Sequence, residues 1–428
     1  MRKFALIALL GLEFSHAMTL EQSIALALAN STQLERLEYQ EALHADKQSA
    51  AAQARYGSFD LSVQLEKHNL PRTLAPLTPS TISPNIASTT EPMSIGVNYS
   101  VLLFSGYAEQ SEIDMEELAQ KSVASLRKLT KEQIVFNVKS LYFSALATQK
   151  KEEAQSEFVL WLEDFASLSQ EELALGRRSE LDILRITSTL AAQKAQLEAL
   201  KARSQTLLAT LQSYTQEPIE TLEEVGMKAY ERALIGDIAT LERLQSFDTQ
   251  SDIIAQRVRK QESRFYPKVS LNAYYGQNFG YNDSTNPQSG DFEHQEIWHV
   301  NFKLGYNLFD FGAKDAASQA LQKEMLQTGT HKEEARRSLV LELATIEAKA
   351  ESLQAQKEAK EEEERLLDKS VAIESLRLEH GAVSMSDFLE LKAKHALVVA
   401  SIIELEYEQM KLSAQQEYVL EKGVKSEN

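Results

Sequence analysis

The sequence predicts a mainly α-helical fold with a small β part built for a membrane, four strands to a chain. Three observations predict it. Long stretches of the 428 residues hold almost none of the 15 glycines and 8 prolines, as long helices require. Short segments alternate apolar and polar residues at the period of a strand. Nothing beyond the N-terminus approaches the roughly 18–20 uninterrupted apolar residues of a spanning helix. Entry into a membrane must therefore use a closed barrel.

Composition excludes several classes of function. A net charge of −18 leaves no basic face for phosphates, so no nucleic-acid partner is expected. The chain has no cysteine, which removes disulfides, thiolate metal sites and a cysteine-borne N-terminal lipid. Arg2 and Lys3, the apolar run Phe4–Leu12 and Ser15-His16-Ala17 read as a secretory signal over residues 1–17. The mature chain is then expected to begin near Met18; a buried N-terminal helix is the other reading, because Glu13 falls late in the run.

The rest is one unit written twice. Leu103-Phe104-Ser105 recurs as Leu308-Phe309-Asp310, an offset of 205 (309 − 104). Gly176-x-x-Ser179-x-x-Asp182-x-Leu184 recurs as Gly381-x-x-Ser384-x-x-Asp387-x-Leu389 at the same 205. Leu34–Leu37 recurs as Leu241–Leu244 and Arg55 as Arg264, with offsets of 207 and 209 that imply small loop insertions. Tandem duplication is the simplest cause. The expected domains are 18–225 and 226–423, followed by a polar tail, 424–428.

Each copy is expected to run helix, strand, loop, strand, very long helix, tight break, long helix. In copy one the opening helix covers Leu20–Tyr56, and the strands lie near Leu61–Lys67 and Ser94–Phe104. Ile95, Val97, Tyr99, Val101 and Leu103 share one side of the second strand. Copy two opens with a helix over Leu234–Phe265, and Val269, Leu271, Ala273 and Tyr275 then share a face. In its last strand Trp298, Val300, Phe302, Leu304, Tyr306 and Leu308 oppose His299, Asn301, Lys303, Gly305 and Asn307. An ordinary half-buried sheet gives the same pattern. The signal segment and the clustered aromatics favour a membrane, with Val97, Tyr99, Trp298, Phe302 and Tyr306 on the lipid face. The proline-rich stretch Leu70–Pro92 and the polar stretch Tyr281–Glu293 read as loops at one end of the strand pairs. Four strands cannot enclose a useful lumen, whereas three chains supply about twelve. A homotrimer follows from that count.

The helices set the reach. Ala108–Leu175 and Ala313–Leu378 hold almost no helix breaker; about 65 residues at 1.5 Å each give on the order of 100 Å. Ser179–Gln216 and Ser384–Lys422 return antiparallel, packed along coiled-coil stripes. The charged run Lys357–Lys369 reads as a solvated helical face. No enzyme is expected: there is no phosphate-cradling glycine loop, and His294 and His299, five apart, suit no metal spacing. No cofactor and no metal are expected either. The rival is a secreted coiled-coil structural or adaptor protein, or an adhesin, without a pore. The duplication and the C-terminal helix tell against it.

The opening Thr19–Leu28, the strand-ending Leu308-Phe309-Asp310-Phe311-Gly312 and the two Gly-x-x-Ser-x-x-Asp-x-Leu turns resemble the TolC-like outer-membrane factor family over essentially the whole mature chain. Copy one departs slightly, its Gly106 standing one place early. The resemblance implies a trimeric twelve-stranded barrel in the outer membrane and a helical tunnel across the periplasm. It also implies an exit duct for efflux or type I secretion, driven by an inner-membrane RND, ABC or MFS pump through a periplasmic adaptor (a membrane fusion protein). The adaptor-docking tips would be Gly176, Arg178, Ser179, Asp182, Gly381 and Ser384. The family's acidic aperture falls on Asp387 and Glu390, which would form two threefold carboxylate rings; read from the residues alone, both are ordinary hairpin-surface acids. The family's gating aromatic and arginine correspond here to Leu378 and Val383, with Arg178 and Arg185 as substitutes pairing with Asp387.

Overall fold

The computed structural model describes residues 17–77, 86–226, 238–283, 290–380 and 382–424. Its elements are α1 (Leu20–Ala29), α2 (Thr32–Gln53), β1 (Ser58–Leu65), β2 (Arg72–Thr73), β3 (Ser88–Thr89), β4 (Met93–Phe104), α3 (Ala108–Ala174), α4 (Glu180–Thr215), α5 (Glu242–Glu262), β5 (Lys268–Tyr281), β6 (Phe292–Gly305), α6 (Ala313–Glu379) and α7 (Met385–Val419). The expected signal segment lies outside the described residues except for Ala17. The described chain forms two compact units, and each draws on both sequence copies. One takes residues from 1–36, 126–244 and 334–428, the other from 37–125 and 245–333.

The helical unit is built on coiled-coil stripes. Leu339, Leu343, Ile346, Ala350 and Leu353 of α6 are buried together with Leu412 and Val419 of α7. Their alternating spacing of four and three is that of a heptad seam. On α3, Ile134, Val138, Tyr142 and Leu146 recur every fourth residue into a second core with Ala27, Leu34, Leu211 and Met410. The Tyr142 hydroxyl donates to the Met18 and Glu223 carbonyls, each at 2.8 Å. Burial pushes its pKa up to about 12.

The opening helix of copy one is not continuous over Leu20–Tyr56. It breaks at Asn30 and Ser31, where the Asn30 amide donates to the Thr215 carbonyl at 2.6 Å and the Ser31 hydroxyl accepts from the Leu34 N–H. Side chains that cap a helix end there make a break cheap. At the other end of α1, Thr19 and Gln22 form a capping box. In copy two the opening helix is shorter than Leu234–Phe265: α5 covers Glu242–Glu262 between two 3₁₀ turns, and residues 234–237 lie outside the described residues.

The second unit carries the sheet, in the order β1-β4-β5-β6 and antiparallel throughout. Strand β1 starts three residues earlier than expected. Gly57, at φ +76°, turns the chain into it so close to β4 that a Cβ there would sit 2.2 Å from the Ser100 carbonyl oxygen. Strand β6 ends at Gly305, which pairs with Lys268. The next partner would be Pro267, whose ring nitrogen has no hydrogen to donate, so Tyr306 and Leu308 lie beyond the strand rather than in it.

Both copies leave the sheet for the long helix through two successive left-handed residues. These are Gly106 and Tyr107 (φ 71° and 70°) in copy one, and Phe311 and Gly312 (φ 58° and 85°) in copy two. The positions are equivalent at the 205-residue offset. The glycine that stands one place early thus supplies the other half of the same bend.

The C-terminus clasps the helical unit. Glu421 accepts from the Glu242 and Arg243 N–H groups at the start of α5 (2.6 and 3.0 Å), and the Arg243 guanidinium lies 4.1 Å over the Tyr418 ring. Glu132 of α3 accepts from the Gly423 and Val424 N–H groups at 2.8 and 3.1 Å. Burial raises the Glu132 carboxyl above its ordinary 4.5, with the Glu421 charge adding to the rise. A carboxyl raised in the fold stabilises while it holds its proton and loses that contribution as pH rises through the folded pKa. Glu132→Gln cannot ionise. Its melting temperature relative to the parent should therefore shift in the variant's favour as pH rises from about 4.5 towards 7; a pH-independent difference would contradict this.

Candidate functional site

Strand register sorts the sheet into two chemically distinct faces. Leu61, Val97, Tyr275 and Trp298 lie in one cross-strand row, and Phe59, Tyr99, Ala273 and Val300 in the next. Val101, Leu271 and Phe302 follow. This apolar face is open: Leu61 and Trp298 are each 70% exposed and Phe302 68%. The Phe59 and Tyr99 rings stack at 4.6 Å, and the Tyr99 hydroxyl donates to the Tyr56 carbonyl at 2.8 Å. Tyr306 is exposed just past the strand end.

The opposite face is polar. Its rows read Ser58, Ser100, Asn272, Asn301, then Asp60, Asn98, Tyr274, His299, then Gln64, Ser94, Asn278, Gln295. Between the last two rows lie Gly96 and Gly276, and the Tyr274 ring covers both; a Cβ at either would meet its hydroxyl within 2.5 Å. His299 stacks on the same ring at 5.3 Å.

The two helical breaks form the second candidate region. After α3 the chain closes on Gly176 at φ +73°, with the Arg177 N–H bonded to the Glu172 carbonyl and the Gly176 N–H to Leu173. That is the Schellman closure for which glycine is suited. The equivalent Gly381 lies outside the described residues, but the Ala382 N–H bonds the Arg377 carbonyl at 2.9 Å in the same pattern. The recurring Ser-x-x-Asp is a helix cap. Ser179 accepts from the Asp182 N–H and Ser384 from the Asp387 N–H, each at 3.2 Å, and each hydroxyl donates to the aspartate at 2.7 Å.

Asp387 is therefore held by its own cap and does not pair with Arg178. The Arg178 guanidinium bonds Glu172 and lies 5.6 Å over the Phe165 ring. Arg185 is exposed, as are Asp387 and Glu390. Sequence reasoning missed what joins the two hairpins: Phe158, Trp161 and Phe165 of α3 stack in a line, and Trp161 and Phe165 meet Phe388 of α7 at 6.1 and 5.9 Å. Ile186, Met385 and Leu389 complete the cluster, with Leu378 packed against it and Lys392 4.9 Å over Trp161. The spacing 158, 161, 165 on one helical face was the available signal. The charged run on α6 is a solvated face, with Arg365 bonded to Glu362 and Lys360 to Glu363.

Residues 244–416 match the model of the outer membrane efflux protein family. That match covers most of the second sequence copy. Solved structures extend the likeness to nearly the whole chain. The CmeC outer membrane channel of Campylobacter jejuni superposes with a TM-score of 0.79 at 14% identity, over 96% of this chain and 87% of that one. VceC of Vibrio cholerae gives 0.74 at 14% over 94% and 95%. MtrE of Neisseria gonorrhoeae, an outer membrane channel in its open state, gives 0.73 at 12% over 94% and 89%. No curated protein matches by sequence at a significant level. The expected resemblance to the TolC-like factors is thus borne out, as is the mixed fold, and the matched solved structures are outer membrane channels.

Phe388 is 4% exposed and bridges the two hairpins. Phe388→Ala should cost about 3 kcal/mol of local stability. Hydrogen exchange should rise at the ends of α3 and α7 while the sheet stays protected.

Proposed function

We propose that the chain is the outer-membrane subunit of a tripartite efflux or type I secretion system, a passive duct closed by three copies. One observation carries the reading: a four-stranded sheet with an open apolar face, a polar opposite face and two unpartnered edges. Among the described residues the outer edges of β1 and β6 have no neighbour. Long exposed apolar edges recruit other strands, and in lipid every backbone group must be satisfied. Pairing β6 of one copy with β1 of the next, three times over, satisfies both edges and gives about twelve strands. The apolar face then meets lipid, with Val97, Tyr99, Trp298 and Phe302 upon it, and the polar face lines the duct.

The hairpin tips around Gly176, Arg178, Ser179, Asp182, Gly381 and Ser384 dock the periplasmic adaptor, through which an inner-membrane pump of the RND, ABC or MFS class supplies the energy. Asp387 and Glu390, both exposed on the first turns of α7, form threefold carboxylate rings at the aperture. Such rings attract cations.

Fractionation tests the core of this reading: the mature protein should extract from outer membranes as a detergent-stable trimer. Recovery as a soluble periplasmic monomer would overturn it in favour of a poreless coiled-coil protein. For the rings, Asp387→Asn with Glu390→Gln keeps a cap acceptor while removing both charges. Cation over anion selectivity in planar bilayers should fall; unchanged selectivity would remove the rings and leave the duct.

A further inference from the structure

Side chains on a strand ordinarily stand out from the sheet, but Tyr274 lies down on it. From the position of a Cβ on Gly96, its hydroxyl oxygen, Cζ and Cε2 would be 2.4, 2.5 and 2.6 Å away. Near-equal distances to three consecutive atoms mean that the ring's face, not its edge, rests on the glycine. Gly276 pairs with Gly96 on the next strand, and a Cβ there would meet the same hydroxyl at 2.5 Å. The two glycines make a seat for the ring, and its other face turns away from the sheet.

His299, opposite Tyr274 on β6, continues that surface. The ring centroids are 5.3 Å apart and the planes within 25° of each other. Tyr274 is partly buried and His299 exposed. The same row runs on through Asn98 to Asp60, which is exposed and is the one charged residue on the polar side of β1. Asp60 stands two strands from Tyr274, about 10 Å at the spacing of paired strands. The next charges on this face of β5 and β6 are Lys303, Lys268 and Glu293, roughly 13 Å or more away along the strands. A π face attracts cations, and Asp60 is the nearest of these fixed charges.

We propose that Tyr274 and His299, with Asp60 beside them, form a stacking site for planar aromatic cations on the wall of the duct. The inference rests on the trimeric channel reading, which makes this face the lumen wall and repeats the site three times at one level. A flat cation lays its own face on the two rings, while its charge is met by their π electrons and by the Asp60 carboxylate. Gly96 and Gly276 are positioning residues, since a side chain at either would tip the Tyr274 ring out of the wall and take its face away from the solute. Passage needs a hold weak enough to release, as an open stacking surface without enclosing walls provides.

Ethidium serves as the probe, with tetraethylammonium, of the same charge but not planar, as the control. The purified trimer in planar bilayers should conduct, and ethidium should block the current reversibly where tetraethylammonium at the same concentration does not. Tyr274→Leu with His299→Gln should raise the blocking concentration about tenfold, the scale of losing stacking partners, while Tyr274→Phe should leave it unchanged. Gly96→Ala keeps both rings, and because the nearest neighbours of its Cβ are all Tyr274 atoms, it too should weaken the block. Asp60→Asn keeps an acceptor for the Ser58 hydroxyl and should weaken the block in low salt more than in high salt. If Tyr274→Leu yields no trimer, His299→Gln and Gly96→Ala carry the test. Equal block by the two cations, or a block unchanged in these variants, would overturn the stacking site and leave the channel standing. No conductance, with the protein recovered soluble without detergent, removes the channel reading, and the site falls with it.

Discussion

Backbone hydrogen bonding in an apolar solvent is the constraint on which the rest of this molecule depends. The four strands pair with each other through β4 and β5, but β1 and β6 each turn one row of N–H and C=O groups outward. In water such rows are solvated. In lipid each unsatisfied group costs several kcal/mol. A sheet with an apolar face on one side and rows of Ser, Asn and Gln on the other cannot meet that constraint as a single copy. In the channel we propose, three chains around a lumen walled by the polar face are the means of closing those two edges.

Duplication supplies the strands in a particular way. Neither copy folds as a compact body: each unit of the structure takes one part from each half of the sequence. In the sheet, β4 of copy one pairs with β5 of copy two over ten or so residues, so the copies are joined at the centre and free at the edges. In the helical unit the core around Tyr142 and Met410 and the cluster of Trp161, Phe165 and Phe388 both bring α3 of copy one against α7 of copy two. The repeat is kept in backbone shape while its contacts have diverged. Leu184 and its counterpart Leu389 show this: the first is exposed, the second buried in that cluster.

Much of this could be read from the residues, and the reasons differ by element. The long helices are legible because 67 residues with no proline, and a single glycine (Gly329) in α6 alone, leave few alternatives, and their limits fall within a residue of expectation. The strand faces are legible because a period of two is exact. Strand ends are less so, since β6 stops where the residue before its neighbour is a proline, a fact about the partner rather than the strand itself. The break at Asn30 hid in a run of good helix formers because its cause, the Thr215 carbonyl, is 185 residues away. The tip motif was found by its spacing, but Ser179 and Ser384 recur because they cap helices, and spacing alone did not distinguish a cap from a docking surface. The Arg178 partner was misjudged for a similar reason: Glu172, six residues upstream, becomes its neighbour only after the turn at Gly176.

The bends that lead out of the sheet bear on how such a chain can be altered. Both use a pair of left-handed residues, yet the glycine occupies the first place in one and the second in the other. Backbone shape has outlasted the residues that make it. For the construction of hybrids, segments 103–107 and 308–312 should therefore be exchanged whole. Importing Phe at position 106 alone would leave Phe-Tyr, a bend with no glycine and two bulky side chains in a region that L-residues avoid.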